Sequence, residues 1–273
     1  MSIRLSKEEA QKKLDERKEA IKKVCLTKNS MSELTSRVAL VLDTSGSMTP
    51  AFRSGMVQAV IERILPLAMA FDDNGEMEFW TFSYSFQRHE PITRSNFYTY
   101  LKDNGISAAG GTNYEPVMMD AARYFILEEP ENMPNYIIYI TDGDNFDPQQ
   151  TDKAIKAISN FPIFFQFVGI GDPKGFKYLE GLDDMEGRYV DNANFFAINS
   201  LEEMDRLTDN ELYTKLLDEY PKWLQYPQVR ELIAGGKSFC HDKKARKKLE
   251  PAENKVWEIT KKILKIAVDI LID

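Results

Sequence analysis

The segment Val38-Ala-Leu-Val-Leu-Asp-Thr-Ser-Gly-Ser-Met48 constrains this chain more than any other. From Val38 to Leu42 every residue is apolar, with no alternation of polar and apolar sides. A half-exposed strand would alternate, whereas an unbroken apolar run followed by polar turn residues marks a parallel strand covered on both faces. Helices above and below a sheet cover both faces in this way in a βαβ architecture. Oxygen donors begin where the run stops, at alternate positions: Asp43, Ser45 and Ser47. In open α/β sheets, ligands bind outside the carboxyl ends of the strands. One carboxylate and two hydroxyls are hard donors that suit Mg²⁺, and also Mn²⁺ or Ca²⁺. Asp-Thr-Ser-Gly-Ser is equally good turn and capping chemistry before a helix starting near Phe52, so on this segment alone both readings stand.

Two further segments bear on the choice. Ser107-Ala-Ala-Gly-Gly-Thr-Asn-Tyr-Glu-Pro116 is a small, Gly-rich stretch that lets backbone approach a ligand and sets the Thr112 hydroxyl just ahead of another helix. Tyr136-Ile-Ile-Tyr-Ile-Thr-Asp-Gly143 is a second continuous apolar strand ending in a carboxylate, Asp142. Together the three segments resemble the von Willebrand factor A (vWA) domain and its metal-ion-dependent adhesion site. The resemblance implies that Asp43, Ser45, Ser47, Thr112 and Asp142 hold one divalent cation, most readily Mg²⁺, with Mn²⁺ or Ca²⁺ as substitutes. It assigns direct ligation to Ser45, Ser47 and Thr112, and ligation largely through water to Asp43 and Asp142. It further implies an open coordination position for an Asp or Glu carboxylate of a partner protein, and no catalytic residues.

A closer resemblance comes from residues outside these loops. Gln58-Ala-Val-Ile-Glu-Arg-Ile-Leu65, Phe71-Asp-Asp-Asn-Gly75, Phe161-Pro-Ile-Phe-Phe-Gln-Phe-Val-Gly-Ile-Gly171, Val190-Asp-Asn-Ala-Asn-Phe-Phe196 and Tyr220-Pro-Lys-Trp-Leu224 are similar to the bacterial tellurium-resistance (Ter) branch of the family. That likeness covers roughly residues 6–226. It implies a cytoplasmic, metal-dependent protein-interaction module that works in tellurite or stress, phage and colicin resistance. Several members of the branch carry a calcium-binding β-sandwich ahead of this domain, for which the stretch before Asp43 is too short.

Strands are expected at about 37–42, 76–84, 86–90, 135–140, 162–169 and 188–198, and helices at about 52–71, 114–128, 149–160, 175–183 and 201–219, the last ended by Pro221. The expected fold is therefore a doubly wound, mostly parallel six-stranded α/β sheet with one antiparallel edge strand, Phe86–Glu90. Helical extensions flank it: residues 1–34 as an N-terminal helix packed on the domain, 35–226 as the domain, and 227–273 as a C-terminal extension. Ser6-Lys-Glu-Glu9 reads as a capping box for a charged helix whose apolar stripe holds Leu14, Ile21 and Val24. Beyond Trp223, Gly235-Gly236 reads as a hinge, Lys243-Lys-Ala-Arg-Lys-Lys248 as a solvated helix face, and Pro251–Asp273 as a helix with Val256, Ile259, Ile263, Ile266 and Ile270 on one stripe.

Charge and composition exclude several classes. A net charge of −8 speaks against general nucleic-acid affinity. The N-terminus lacks an apolar signal core, and no uncharged run approaches the length of a membrane span. The two cysteines, Cys25 and Cys240, form no disulfide framework, so a reducing compartment is expected.

Enzymes are the competing class, chiefly a metal-dependent hydrolase or phosphoryl-transfer enzyme that would use the same ion. An aspartyl-phosphate mechanism needs a second Asp where this chain has Ser45. A Ser-His-Asp mechanism needs His89 or His241, the only histidines, and both read as surface residues. Gly110-Gly-Thr112 lacks the Lys of a phosphate-binding loop, and Asp142–Asp147 lacks the central Gly and final Glu of an EF-hand. Asp144 and Asp147 are expected to add negative potential near the cation.

Overall fold

A computed structural model of the protein describes residues 6–27, 35–72, 74–143 and 145–249. Among these, six strands form one sheet in the order β3-β2-β1-β4-β5-β6. They are β1 (Arg37–Asp43), β2 (Met77–Phe82), β3 (Phe86–Ile92), β4 (Asn135–Thr141), β5 (Ile163–Ile170) and β6 (Ala193–Ile198). All neighbours pair in parallel except β2 and β3. The fold is thus the doubly wound, mostly parallel sheet with one antiparallel edge strand. Strands β4 and β5 are buried along their whole length, as is β1 after its first residue, which explains their continuous apolar sequences.

Helices cover both faces. In chain order they are α1 (Lys7–Thr27), α2 (Thr49–Ser54), α3 (Met56–Phe71), α4 (Tyr100–Asp103), α5 (Glu115–Arg123), α6 (Pro148–Ile158), α7 (Lys177–Asp183), α8 (Leu201–Arg206), α9 (Asp209–Leu216), α10 (Tyr220–Trp223), α11 (Pro227–Ala234) and α12 (Lys243–Leu249). Successive strand residues point to opposite faces. Val38, Leu40, Ile138 and Ile140 therefore join α1, α3 and α9 in one core. Ala39, Val41, Ile137 and Tyr139 join α5, α6 and α7 in the other. The N-terminal capping box forms, with Ser6 N–H donating to Glu9 Oε2 at 2.8 Å and Glu9 N–H to Ser6 Oγ at 3.2 Å. From α1, Leu14 and Ile21 are fully buried and Arg17 Nη1 donates to the Glu62 carbonyl of α3 at 2.9 Å.

The strand order fixes where a ligand site can lie. From β1 the chain winds outward through β2 to β3, then returns to β4 on the other side of β1. Between the carboxyl ends of β1 and β4 the winding reverses, which opens a crevice at that point.

Several boundaries differ from the sequence expectation, each for a local reason. The helix expected from Phe52 begins earlier and is broken by Gly55 at φ 82°, so that the segments on either side of it bend by 77°. The helix expected over 201–219 is two helices, because Thr208 starts a new one with a full capping box to Glu211. Pro221 does not end that helix; it stands in the first turn of α10. Strand β6 starts at Ala193 rather than near Arg188, whose guanidinium is held by the carbonyls of Met185 and Asp183. The helix expected to run to Glu128 ends as a π-helical turn over Tyr124–Glu128. Gly236 is no hinge: Lys237 N–H donates to Asn132 Oδ1 at 2.8 Å and its ammonium pairs with Glu131 at 2.7 Å, which docks this turn on the domain. The basic run forms α12, with Ala245 and Leu249 buried and its cationic side chains exposed. The Pro251–Asp273 stripe lies outside the described residues. Among the described residues no single helix is long and apolar enough to cross a membrane.

Candidate functional site

Asp43 is the last residue of β1, and it is fully buried. Its Oδ1 accepts the Ser45 backbone N–H at 2.7 Å, which folds the Asp-Thr-Ser turn back on itself. Its Oδ2 accepts the Thr141 hydroxyl at 2.7 Å from the end of β4. Because Thr141 spends its proton there, the Tyr114 hydroxyl 2.8 Å away donates to Thr141 Oγ1. Burial, reinforced by Asp43, pushes the Tyr114 phenol well above its ordinary range and keeps that proton in place. Ser45 is buried and Ser47 exposed, with their hydroxyl oxygens 3.0 Å apart.

The Gly-rich loop is stitched to this turn by backbone alone. Gly46 N–H donates to the Gly110 carbonyl at 2.9 Å, and Ala109 N–H to the Thr44 carbonyl at 2.6 Å. Thr112, which is buried, accepts Phe146 N–H at its carbonyl at 2.8 Å, and so joins the segment after β4 as well. A Cβ on Gly111 would stand 2.3 Å from Tyr84 Cε1 and 2.7 Å from Phe146 Cε2, so a larger residue here would displace those rings. These two rings, both largely exposed, flank the loop. Asp142, half-buried, follows β4 and acts on the Asp43 charge. The structure therefore brings the loops of Asp43, Ser45, Ser47, Thr112 and Asp142 together at the crevice between β1 and β4.

The electrostatics are unusual for an acid in a core. Burial pushes the Asp43 carboxyl up to about 7; the Thr141 and Ser45 hydrogen bonds act against this, and Asp142 adds to it. The charged side chain foremost in acting on Asp43 is thus another acid. Buried charges are ordinarily paired or coordinate a metal. Two acids and three hydroxyls are hard oxygen donors, so the set fits Mg²⁺, Mn²⁺ or Ca²⁺ and not a thiolate-seeking ion. Among the described residues no group of three or more His, Cys, Asp or Glu is placed to hold a metal, so any cation here rests on the hydroxyls as much as on the acids.

Two expectations about the surroundings are corrected. Asp147 is bonded rather than free, although its charge still acts on Tyr139 beside Asp43. Its oxygens accept Tyr114 N–H at 2.8 Å and Glu115 N–H at 3.0 Å, capping α5, and also the Thr151 hydroxyl at 3.1 Å. Asp144 lies outside the described residues. His89 is half-buried, bonded to the Thr81 hydroxyl at 2.7 Å and tilted against Phe79, while His241 is exposed. Neither histidine is on the crevice. Sequence reasoning missed the positioning roles of Thr141, Tyr114 and Asp147. Thr141 directly precedes Asp142, and its place at the end of an apolar strand was the available signal.

Comparison with known proteins agrees with this architecture. The family model described as the vWA domain found in the TerF C terminus matches residues 35–232. The uncharacterized protein YcbR of Bacillus subtilis (strain 168) is 39% identical over 225 residues, which cover 81% of this chain and 90% of that protein. Among solved structures, the D319A mutant of the PilB minor pilin from Streptococcus sanguinis superposes with a TM-score of 0.51 at 13% identity, covering 70% of this chain and 62% of that one. A von Willebrand factor type A protein from Catenulispora acidiphila gives a TM-score of 0.46 at 16% identity, with 76% and 44% covered. The chain spans less than two thirds of either solved chain.

Proposed function

Because the chain belongs to the family of vWA domains found in the TerF C terminus, we propose that it is a metal-dependent protein-interaction module whose cradle is Asp43, Ser45, Ser47, Thr112 and Asp142. Ser45, Ser47 and Thr112 offer hydroxyl oxygens directly, and Asp43 and Asp142 act largely through water. A divalent cation, Mg²⁺ first and Mn²⁺ or Ca²⁺ next, would supply an electrophilic point for an Asp or Glu carboxylate of a partner. The observation that carries this reading is Asp43: fully buried, held by Ser45 and Thr141, and set against the acid Asp142. Burying an acid beside another acid is costly unless a cation joins them.

The role of the chain's own residues is positional. Thr141 and Tyr114 fix the orientation of the Asp43 carboxylate, and Asp147 anchors the start of α5 and with it the loop of Thr112. We assign the module to the cytoplasm and to tellurite, stress, phage or colicin resistance, on its likeness to the Ter branch. Binding rather than catalysis is its proposed activity.

Calorimetric titration with Mg²⁺, Mn²⁺ and Ca²⁺ tests the cradle. Saturable binding to the wild type that disappears in Asp43→Ala and in Thr112→Ala is the expected result. Equal binding by wild type and both variants would place the cation elsewhere and sink the assignment.

A further inference from the structure

The two edges of the sheet are built differently. At one edge β3, Phe86-Gln-Arg-His-Glu-Pro-Ile92, carries Arg88, Glu90 and Pro91 and shifts register against β2 between Met77 and Phe79. Charge, proline and irregular pairing are means by which proteins keep an edge strand from pairing with another chain. At the other edge β6, Ala193-Asn-Phe-Phe-Ala-Ile198, has no charge and no proline, and it pairs with β5 in unbroken register. Phe195, Phe196 and Ala197 are all half-buried, although Phe196 turns to one core and Phe195 and Ala197 to the other. Exposure that ignores the alternation of faces comes from the open side of the strand. The backbone groups on that side follow from those bonded to β5. Asn192 and Ile198 accept the amides of Phe165 and Gly171 at their carbonyls, at 2.9 and 3.2 Å, so by alternation Phe195 and Ala197 point their own amides and carbonyls outward. Among the described residues no strand, loop or side chain bonds these outward groups.

We propose that β6 is a self-pairing edge, at which two copies of this chain join as a dimer with one sheet running through both. The occupant follows from the pattern of the strand itself. Antiparallel pairing about a twofold axis at Phe196 sets Phe195 of each copy opposite Ala197 of the other as a hydrogen-bonded pair. Each outward amide then meets an outward carbonyl, with none left over. The open stretch is as long as this ladder needs and no longer, because Ala193 and Ile198 on either side of it are fully buried; a longer foreign strand would find the edge closed there. Phe196 meets its own counterpart across the axis, an aromatic pair on one face of the sheet. No charges oppose each other within the ladder, and Lys215, whose ammonium stands 5.9 Å from the Phe196 ring centre, is exposed and screened by solvent ions. So short a ladder makes a dimer that dissociates on dilution. Antiparallel pairing also turns the carboxyl ends of the two sheets in opposite directions. On the cradle reading above, the dimer therefore presents one cradle at each end and joins two partner molecules.

Sedimentation equilibrium of the full chain without added metal, from micromolar to submillimolar concentration, is expected to show the mass rise from that of one chain toward that of two. Hydrogen exchange read residue by residue locates the contact. The Phe195 and Ala197 amides should exchange about tenfold or more slowly at the high concentration than at the low one, while those of Asn194 and Phe196, which face β5, keep one rate. Ala197→Pro deletes an outward amide, a change that an edge strand tolerates, and should hold the chain to one copy at every concentration with its circular dichroism unchanged. Should this variant not fold, the exchange rates of the wild type decide alone. Three results would each overturn the proposal: a chain that stays single, a mass that doubles while the Phe195 and Ala197 amides keep their rates, or amides protected equally at both concentrations, which would mean that the edge is covered within one chain. None of them bears on the cradle, whose test is metal binding.

Discussion

Asp209, at the start of α9, meets Arg63 Nη2 at 2.9 Å and Arg17 Nε at 3.3 Å, whereas the charged side chain acting on Asp43 is the acid Asp142. Arg63 reaches further: its guanidinium also donates to the carbonyls of Met204 at 2.6 Å and Leu207 at 2.8 Å, which ties α3 to the α8–α9 corner. At Asp209 the protein answers an acid with its own cations, and the node holds helices together. At Asp43 the answer is a threonine hydroxyl, a backbone amide and a second acid, so a cation from outside has something to gain. The contrast separates an acid used for architecture from one kept for binding, and mutation can break it at either end.

The largest effect is expected at the architectural end. Arg63→Met removes a nearly buried guanidinium and leaves the Met204 and Leu207 carbonyls without their donor, while Asp209 keeps Arg17, for a loss of about 3 kcal/mol. Urea unfolding with and without Mg²⁺ measures it, and the loss should be the same in both buffers. A loss under ~1 kcal/mol would show that the node is no keystone.

Next comes the binding end. In metal-free buffer, Asp43→Asn should change stability by less than about 1 kcal/mol, since burial already pushes the carboxyl toward its neutral form. Mg²⁺ at a hundredfold excess over its dissociation constant should stabilise the wild type by about 2.7 kcal/mol and this variant not at all. Thermal melts across a Mg²⁺ series check both statements. A variant unfolded without metal would make Asp43 architectural like Asp209 and erase the contrast.

A third change probes the frame around the cradle. Asp147→Ala uncaps α5 and releases the Thr151 hydroxyl, at about 1–2 kcal/mol, the scale of a lost helix cap. Because the Tyr114 and Glu115 amides it holds directly follow the loop of Thr112, Mg²⁺ affinity should weaken too. Unchanged Mg²⁺ affinity beside the stability loss would mean that the loop is held by its links to Thr44 and Gly46 alone.

The two acids also differ in how far they are legible in the sequence. Asp43 announces itself because local order makes the signal: an apolar strand, then oxygen donors at alternate positions within one turn. Strand β4 with Asp142 and the Gly-rich loop with Thr112 repeat the pattern of local signals, and continuous apolar runs make the parallel sheet readable. The Arg63–Asp209 pair is separated by 146 residues and depends on a helix corner that no short-range pattern specifies. Asp147 caps a helix that begins 32 residues before it, so the sequence shows an acid near the cradle and not its bond. The division at Leu207 was available: Thr208-Asp-Asn-Glu211 is a capping box. Apolar spacing continues across it, and there periodicity outweighed the cap.

The smallest effect sharpens the contrast by a pH dependence away from both nodes. Asp183, half-buried at the end of α7, is pushed up to about 6 by burial, with Glu219, Asp191 and Asp184 adding to the shift and Arg188 opposing it. It is an acid facing acids, as Asp43 is, but on an open surface without a hydroxyl cradle. A carboxyl whose folded-state pKa lies above its unfolded value favours folding while protonated. Its contribution is complete below the unfolded value near 3.9 and is lost as pH rises through about 6. Asp183→Asn should therefore be more stable than wild type at about pH 7.5, by less than ~1 kcal/mol because solvent screens the site, and the two should converge near pH 4. Urea midpoints at both pH values decide it, and Mg²⁺ should leave the difference untouched. If Mg²⁺ erased the difference, crowded acids alone would suffice to attract the ion, and the hydroxyls of Ser45, Ser47 and Thr112 would no longer be what distinguishes the cradle from an acidic patch.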